Sequence, residues 1–438
     1  MGYLVVTGVL VVSFGRLGDM LGRVRMYNLG FALFAGFSIL LSSVPFGVLG
    51  TIWSYLKLEE RGIRKPARLD WAGNLTFAVG LIAVLVGITY GIQPYGGHTM
   101  GWTSPLVLTG LLGGAALLVA FCFIELRVSQ PMFDLHLLRI RAFAFGSLAT
   151  LLASIARGGL QFMLILWLQG IWLVLHGYNY ADTPLWSGIY LLPLTFGFVA
   201  SGPVSGWLSD KHGARAFASG GLLLSALAFG GLLLLPTNFH YWAFGLLIFL
   251  AGAGMGLFSA PNAAAIMNSV PRHQRGAASG MLATFQNSGF VLSIGVFFSL
   301  MIAGLASTLP TTLTRGLTAQ GVPAAIAHQI GSLPPVGSLF AAFLGYNPVK
   351  TLLGPTGVLA HLPASNVATL TGKRFFPELI SQPFHHGLII VFTTTMALLA
   401  LAAGVSALRG ARFVHEEHVA GGEPGSTAEA ALEGTGRS

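Results

Sequence analysis

The sequence predicts an all-α fold, a polytopic bundle of transmembrane helices. Three observations carry this. Of 438 residues, 54% are hydrophobic and only 8% are charged, whereas a soluble domain carries about a quarter charged residues. Apolar runs of the length needed to cross a bilayer, about 20 residues, recur along most of the chain. These runs lack the period-two alternation of a membrane β-barrel. Backbone groups in lipid must be satisfied within their own segment, so the runs are expected to be helices.

The candidate spans, in order, are Gly2–Phe14, Tyr27–Leu56, Gly73–Ile92, Ser104–Ile124, Phe143–Leu173, Leu185–Val204, Ala216–Leu235, Trp242–Asn262, Ala278–Ala303 and Phe384–Leu408. The first is short for a span. The second is long, with Ser42, Ser43 and Pro45 near its middle. As one tilted helix it puts Lys57, Arg61, Arg64, Lys65 and Arg68 on the wrong side. As two helices, each half is too short. Between Gly304 and Pro383 lies a long external segment, expected to form an ordered cap, a re-entrant piece or an interfacial one. "VGSLFAAFLG" (Val336–Gly345) is its most apolar patch. The Gly-, Glu- and Ala-rich tail after Val414 is expected to be disordered.

The net charge of +9 resembles a nucleic-acid signal, but its distribution argues otherwise. The basic residues sit in short loops: Arg127, Arg139 and Arg141; Lys211 and Arg215; Arg272 and Arg275; Arg409 and Arg412. With the Gly15–Arg25 stretch in the cytoplasm, all of these fall on the same side. The opposite loops near Tyr95, Gly177 and Asn238 carry no Lys or Arg. That is the positive-inside pattern of membrane topology. It places the C-terminus in the cytoplasm and excludes nucleic acid as a partner. The single cysteine, Cys122, allows no internal disulfide. The start lacks the basic n-region of a cleavable signal peptide.

One motif occurs twice. "FGRLGDMLGRVR" (Phe14–Arg25) and "SGWLSDKHGARA" (Ser205–Ala216) align Gly15 with Gly206, Leu17 with Leu208, Asp19 with Asp210 and Gly22 with Gly213. Arg23 and Arg25 follow in the first copy, and Arg215 in the second; Lys211 adds a further basic residue there. Glycine permits tight turns and close helix approach, and a carboxylate near arginine can latch one conformation of a two-state rocking motion. Two copies in one helical membrane chain suggest two related halves.

These residues resemble the signature loop of the major facilitator superfamily, whose repeat architecture is well known. The chain is more specifically similar to the fourteen-helix drug:proton antiporter branch. "LDWAGNLTFAVGLIAVLVGITYG" (Leu69–Gly91) resembles the start of that branch's extra helix pair. Pro184–Asp210 and Gly254–Gly289 resemble helices of its second half. The resemblance implies a two-half architecture with an extra helix pair between the halves. It divides the chain into residues 1–56 (first-half helices), 57–142 (linker and extra pair), 143–303 (second-half bundle), 304–383 (external segment), 384–408 (last helix) and 409–438 (tail). Counterparts of the family's first, fourth and fifth helices are not found, so the first half reads as shortened. Met20 and Ala214 replace basic residues of the motif.

Within the spans, Arg157 in "ASIARGGLQF" is the deepest charge, and intramembrane charges are functional by default. It either lines a cavity, is held by backbone carbonyls, or snorkels toward the interface. Gln161, one turn on, can share its face. Gln286 and Asn287 either line the path or bond helix to helix. Asn262 and Gln169 read as helix glue, Trp167 and Trp172 as packing or belt residues, and His385 and His386 as an interfacial pair. No span has a central Asp or Glu, and no catalytic or metal-ligand constellation stands out.

The resemblance therefore implies a secondary active transporter of the inner membrane, not an enzyme. It would export small amphiphilic molecules or drugs using the proton gradient and no other cofactor. Implied partners are the lipid bilayer, a small-molecule substrate, and a periplasmic adaptor with an outer-membrane channel. A non-transporting binding or sensor protein and an inactive shortened transporter are the alternatives.

Overall fold

Asp70 opens the first long helix by accepting the Gly73 amide on Oδ1 at 2.9 Å, which satisfies one of the amides a helix start leaves bare. The computed structural model describes residues 52–56, 70–98, 100–128, 131, 133–271, 274–344 and 347–410. The first copy of the repeated motif, with Gly15, Asp19, Gly22 and Arg23, lies outside the described residues. So do the span Gly2–Phe14, most of Tyr27–Leu56 and the tail from residue 411.

Among the described residues the first long helices are two antiparallel ones, α1 (Trp71–Gly91) and α2 (Pro105–Glu125). Gly96 and Gly97 both adopt positive φ (58° and 82°) in the turn between them, and Tyr95 and His98 pair across it. Successive positive φ angles are what a tight hairpin turn demands. The chain then forms α3 (Arg141–Leu175), which contains one π turn at Leu168–Trp172. Next come α4 (Thr183–Tyr190), α5 (Leu192–His212), α6 (Ala214–Leu232), α7 (Tyr241–Asn268) and α8 (Arg275–Ala319). Four short helices follow: α9 (Ala324–Gly331), α10 (Pro335–Leu344), α11 (Val349–Leu353) and α12 (Ala364–Thr371). The last long helix is α13 (Phe375–Ala407).

Eight of these stretches, with α4 and α5 counted as one, are long and apolar enough to cross a membrane. Among the described residues there is no strand. The chain is a multi-pass membrane protein with an all-α transmembrane bundle, as its composition predicts.

The bundle is organised around α3, the most buried span. α5 packs on α7, α7 on α6 and α6 on α13, while α13 and α8 both pack on α3. The Trp167 ring, fully buried, meets Phe239 at 4.8 Å, Phe244 at 5.8 Å and Phe392 at 6.0 Å, joining α3, α7 and α13. Trp167 is therefore a packing residue. A second aromatic cluster, Phe77, Phe121, Phe133 and Phe285, fastens the α1–α2 hairpin to α8. A Cβ on Gly252 would fall 1.9 Å from the Leu194 carbonyl oxygen, so α5 and α7 meet backbone to backbone. Small residues make such contacts possible where lipid supplies no hydrophobic drive between helices.

Several helix ends differ from those expected. α8 does not stop near Ala303; it continues to Ala319, through Pro310. At 1.5 Å per residue its 45 residues reach about 68 Å, more than twice the hydrocarbon thickness. α13 likewise starts at Phe375, before Pro383. Irregular chain and short helices therefore occupy the stretch between Gln320 and Arg374. Its apolar patch forms α10, which folds back on α8 and the π turn of α3. There Phe340 stacks on Phe298 at 6.1 Å. The hydroxyls of Thr312, Thr314 and Thr318 bond carbonyls one turn back, so a polar stretch remains helical.

Candidate functional site

A cavity of about 450 Å³ is walled by α3, α5, α7 and α8. Arg157 lies at the centre of α3, one turn from Gln161. Gln286 and Asn287 come from α8, Phe198 from α5, and Met255 and Phe258 from α7. The four residues proposed from sequence to line a path thus surround one space. The size suits a drug-sized molecule, for which pockets span roughly 300–1,000 Å³. A smaller cavity of about 70 Å³ continues from it past Leu194, Phe229 and Leu399.

Arg157 is not held by backbone carbonyls. Its guanidinium carbon lies 4.7 Å from the centroid of the Phe198 ring, a distance at which ring and cation attract. Among the described residues it makes no hydrogen bond or ion pair. Asn287 Nδ2 donates to the Ala283 carbonyl at 3.0 Å, which leaves its Oδ1 available. Thr150, one edge of the cavity, opens onto a second feature that sequence reasoning missed.

That feature is a buried polar network centred on Arg409. Its Nη2 donates to Asn262 Oδ1 at 2.5 Å and to Ser406 Oγ at 2.7 Å. Its Nε donates to the Ser406 carbonyl at 3.1 Å. Asn262 Nδ2 in turn donates to Thr150 Oγ1 at 2.8 Å and to the Gly146 carbonyl at 3.2 Å. Arg409 is 5% exposed, and burial pulls its guanidinium down to about 10, so it stays charged at neutral pH. From sequence it reads as one more basic loop residue. The signal that could have found it is Asn262, an amide one span away in an apolar helix.

The second copy of the repeated motif differs from a loop. Gly206, Asp210 and Lys211 belong to α5, which runs to His212. Only Gly213, at φ 89°, separates it from α6. The reason is length: a single positive-φ residue suffices to reverse the chain between two helices. Asp210, Lys211, Gly213 and Arg215 share a cavity of about 640 Å³ with Arg409. Lys211 Nζ sits 3.9 Å from the centroid of Trp207. Asp210 is exposed and makes no ion pair among the described residues.

At the opposite end, Trp172 Nε1 donates to the Phe239 carbonyl at 3.2 Å, and its ring stacks on His176 at 3.9 Å. The Leu235 carbonyl accepts from His385 Nε2 at 3.1 Å, so that histidine fastens α13 to the end of α6. No group of three or more potential metal ligands exists among the described residues.

Known proteins share this sequence pattern. The multidrug resistance protein Stp of Mycobacterium tuberculosis is 28% identical over 282 residues, covering 64% of this chain and 49% of Stp. The methyl viologen resistance protein SmvA of Salmonella typhimurium is 30% identical over 280 residues, covering 62% of this chain and 54% of SmvA. The tetracenomycin C resistance and export protein of Streptomyces glaucescens is 22% identical over 396 residues, covering 89% and 64%. The alignments thus span about half the length of the first two relatives. The sequence profile of the Major Facilitator Superfamily matches residues 66–294, more than half of the chain and every residue that lines the 450 Å³ cavity. With eight apolar spans among the described residues and a motif that occurs twice, the chain belongs to the Major Facilitator Superfamily.

Proposed function

We propose that this chain is a secondary active transporter that exports small amphiphilic molecules, driven by protons moving inward. The observation that carries the proposal is the central cavity, which Arg157, Gln161, Gln286 and Asn287 line together. Transporter sites are built there, between elements that rock to expose them alternately to the two sides. The names of the relatives, which speak of multidrug resistance and of drug resistance and export, support the same reading.

In this proposal the protein sits in the inner (plasma) membrane with its C-terminus in the cytoplasm, and it catalyses no covalent chemistry. The two motif copies, Gly15, Asp19, Gly22 and Arg23 in one and Gly206, Asp210, Lys211, Gly213 and Arg215 in the other, bias the rocking motion. A periplasmic adaptor and an outer-membrane channel would take the substrate onward.

The test is flux. Full-length protein in proteoliposomes should move fluorescent amphiphiles against their gradient when a pH difference is imposed, and stop when an uncoupler collapses it. Saturable binding with no flux under either condition would overturn transport and favour a membrane binding or sensor protein.

A further inference from the structure

The central cavity carries one ionisable group among the described residues that line it, and it is a cation. A guanidinium keeps its charge at every physiological pH and offers five N–H donors. For Arg157 the one close partner is the Phe198 ring. That contact covers one side of the group and satisfies none of its donors by a conventional hydrogen bond. Arg157 is exposed and lines the cavity, so its donors are open to an anionic group that enters it.

We infer that the cavity selects anionic amphiphiles, molecules with an apolar ring system bearing a carboxylate, sulfonate or ionised phenol that docks on Arg157. The inference rests on the proposed transport function and names its substrate class. The planar fork of a guanidinium matches two anionic oxygens at once. Phe198, Phe258, Phe290 and Met255 give the ring system an apolar wall. Gln161 and Gln286 make no hydrogen bond among the described residues, and Asn287 keeps its Oδ1 free. These amides can therefore meet neutral polar groups elsewhere on the ligand. A cationic amphiphile of the same shape would face like-charge repulsion from Arg157.

The experiment uses two dyes built on the same xanthene ring, anionic fluorescein and cationic rhodamine 123, with uncharged fluorescein diacetate as a third probe. Binding to full-length protein in nanodiscs is measured for the native chain, Arg157→Gln and Arg157→Lys. Fluorescein should bind at least about tenfold tighter than rhodamine 123, a modest difference for one charge contact in a site of this kind. Arg157→Gln should abolish that preference yet keep affinity for the uncharged probe, which also shows that the variant is folded. Arg157→Lys should retain most of the preference.

Equal affinity for both dyes, tighter rhodamine binding, or a preference that survives in Arg157→Gln would overturn the anion inference while leaving the transport proposal standing. Failure of all three probes to bind the native chain would speak against the cavity as a substrate site, and both proposals would fall with it.

Discussion

Arg409 and Asn262 hold each other in the interior at 2.5 Å, guanidinium Nη2 to amide Oδ1. The contact joins the residues just past α13 to the last two turns of α7, 147 positions apart in sequence. Through Asn262 Nδ2 and Thr150 it reaches α3 and the edge of the central cavity. One continuous chain of donors thus links the Asp210 cavity to the cavity of Arg157.

The two partners should respond unequally to substitution. Asn262→Leu leaves a buried charge with fewer partners and should cost roughly 3–5 kcal/mol, the range for breaking a buried charged pair. Arg409→Met removes the charge itself and should cost well under half of that, because Asn262 keeps its bond to Thr150. Thermal melts of the detergent-purified variants check this. Equal losses would mean that the network is not what makes Arg409 tolerable in the interior.

Phe198→Leu should weaken ligand binding without unfolding the bundle. It removes the ring beneath Arg157, worth about 1 kcal/mol or roughly fivefold in Kd. The measurement is dye binding beside a melt of the same sample. A change in melting temperature with unaltered affinity would make the contact structural only.

Gly252→Ala should destabilise by roughly 1–3 kcal/mol, the usual range for overpacking. Its new methyl would collide with the Leu194 carbonyl, backbone that cannot swing away. By contrast, Gly202→Ala on the facing helix meets open space and should be near neutral. Paired melts of the two variants decide whether the α5–α7 contact is as close as described.

Asp210→Asn should slow flux by about fivefold or more, the scale of a lost conformational coupling, with unchanged abundance in the membrane. Asp210 is exposed, so the loss cannot come from an unsatisfied buried group. Unchanged flux at equal abundance would remove the motif from the mechanism.

Much of this was legible in the sequence, for identifiable reasons. Hydropathy located α1 to α3, α6 and α7, and α4 with α5 as one span, because each apolar run must cross lipid. Arg157 announced itself because a charge at mid-span is rare, and helical spacing put Gln161 beside it. The length of α8 was hidden: "STLPTTLTRGLTA" contains Pro310 and many hydroxyls, which look like a break. In the fold, the threonines bond backward along the helix and do not interrupt it. Arg409 was hidden for the opposite reason. An arginine after the last span looks like a topology signal, and its burial depends on Asn262, a residue that only packing brings near. Asp210 looked like a loop residue because nothing local announces that Gly213 alone makes the turn.

The most direct measurement concerns Gln286, which lines the same cavity as Arg157 from α8. In a Cys122→Ser background, Gln286→Cys supplies a single thiol inside the cavity. Its reaction with a membrane-impermeant maleimide is followed in proteoliposomes, with and without a transported dye, and with and without a pH gradient. If the cavity is the substrate path, the dye should protect the thiol and the gradient should change its labelling rate. A labelling rate indifferent to both dye and gradient would contradict the proposal that molecules pass through this cavity.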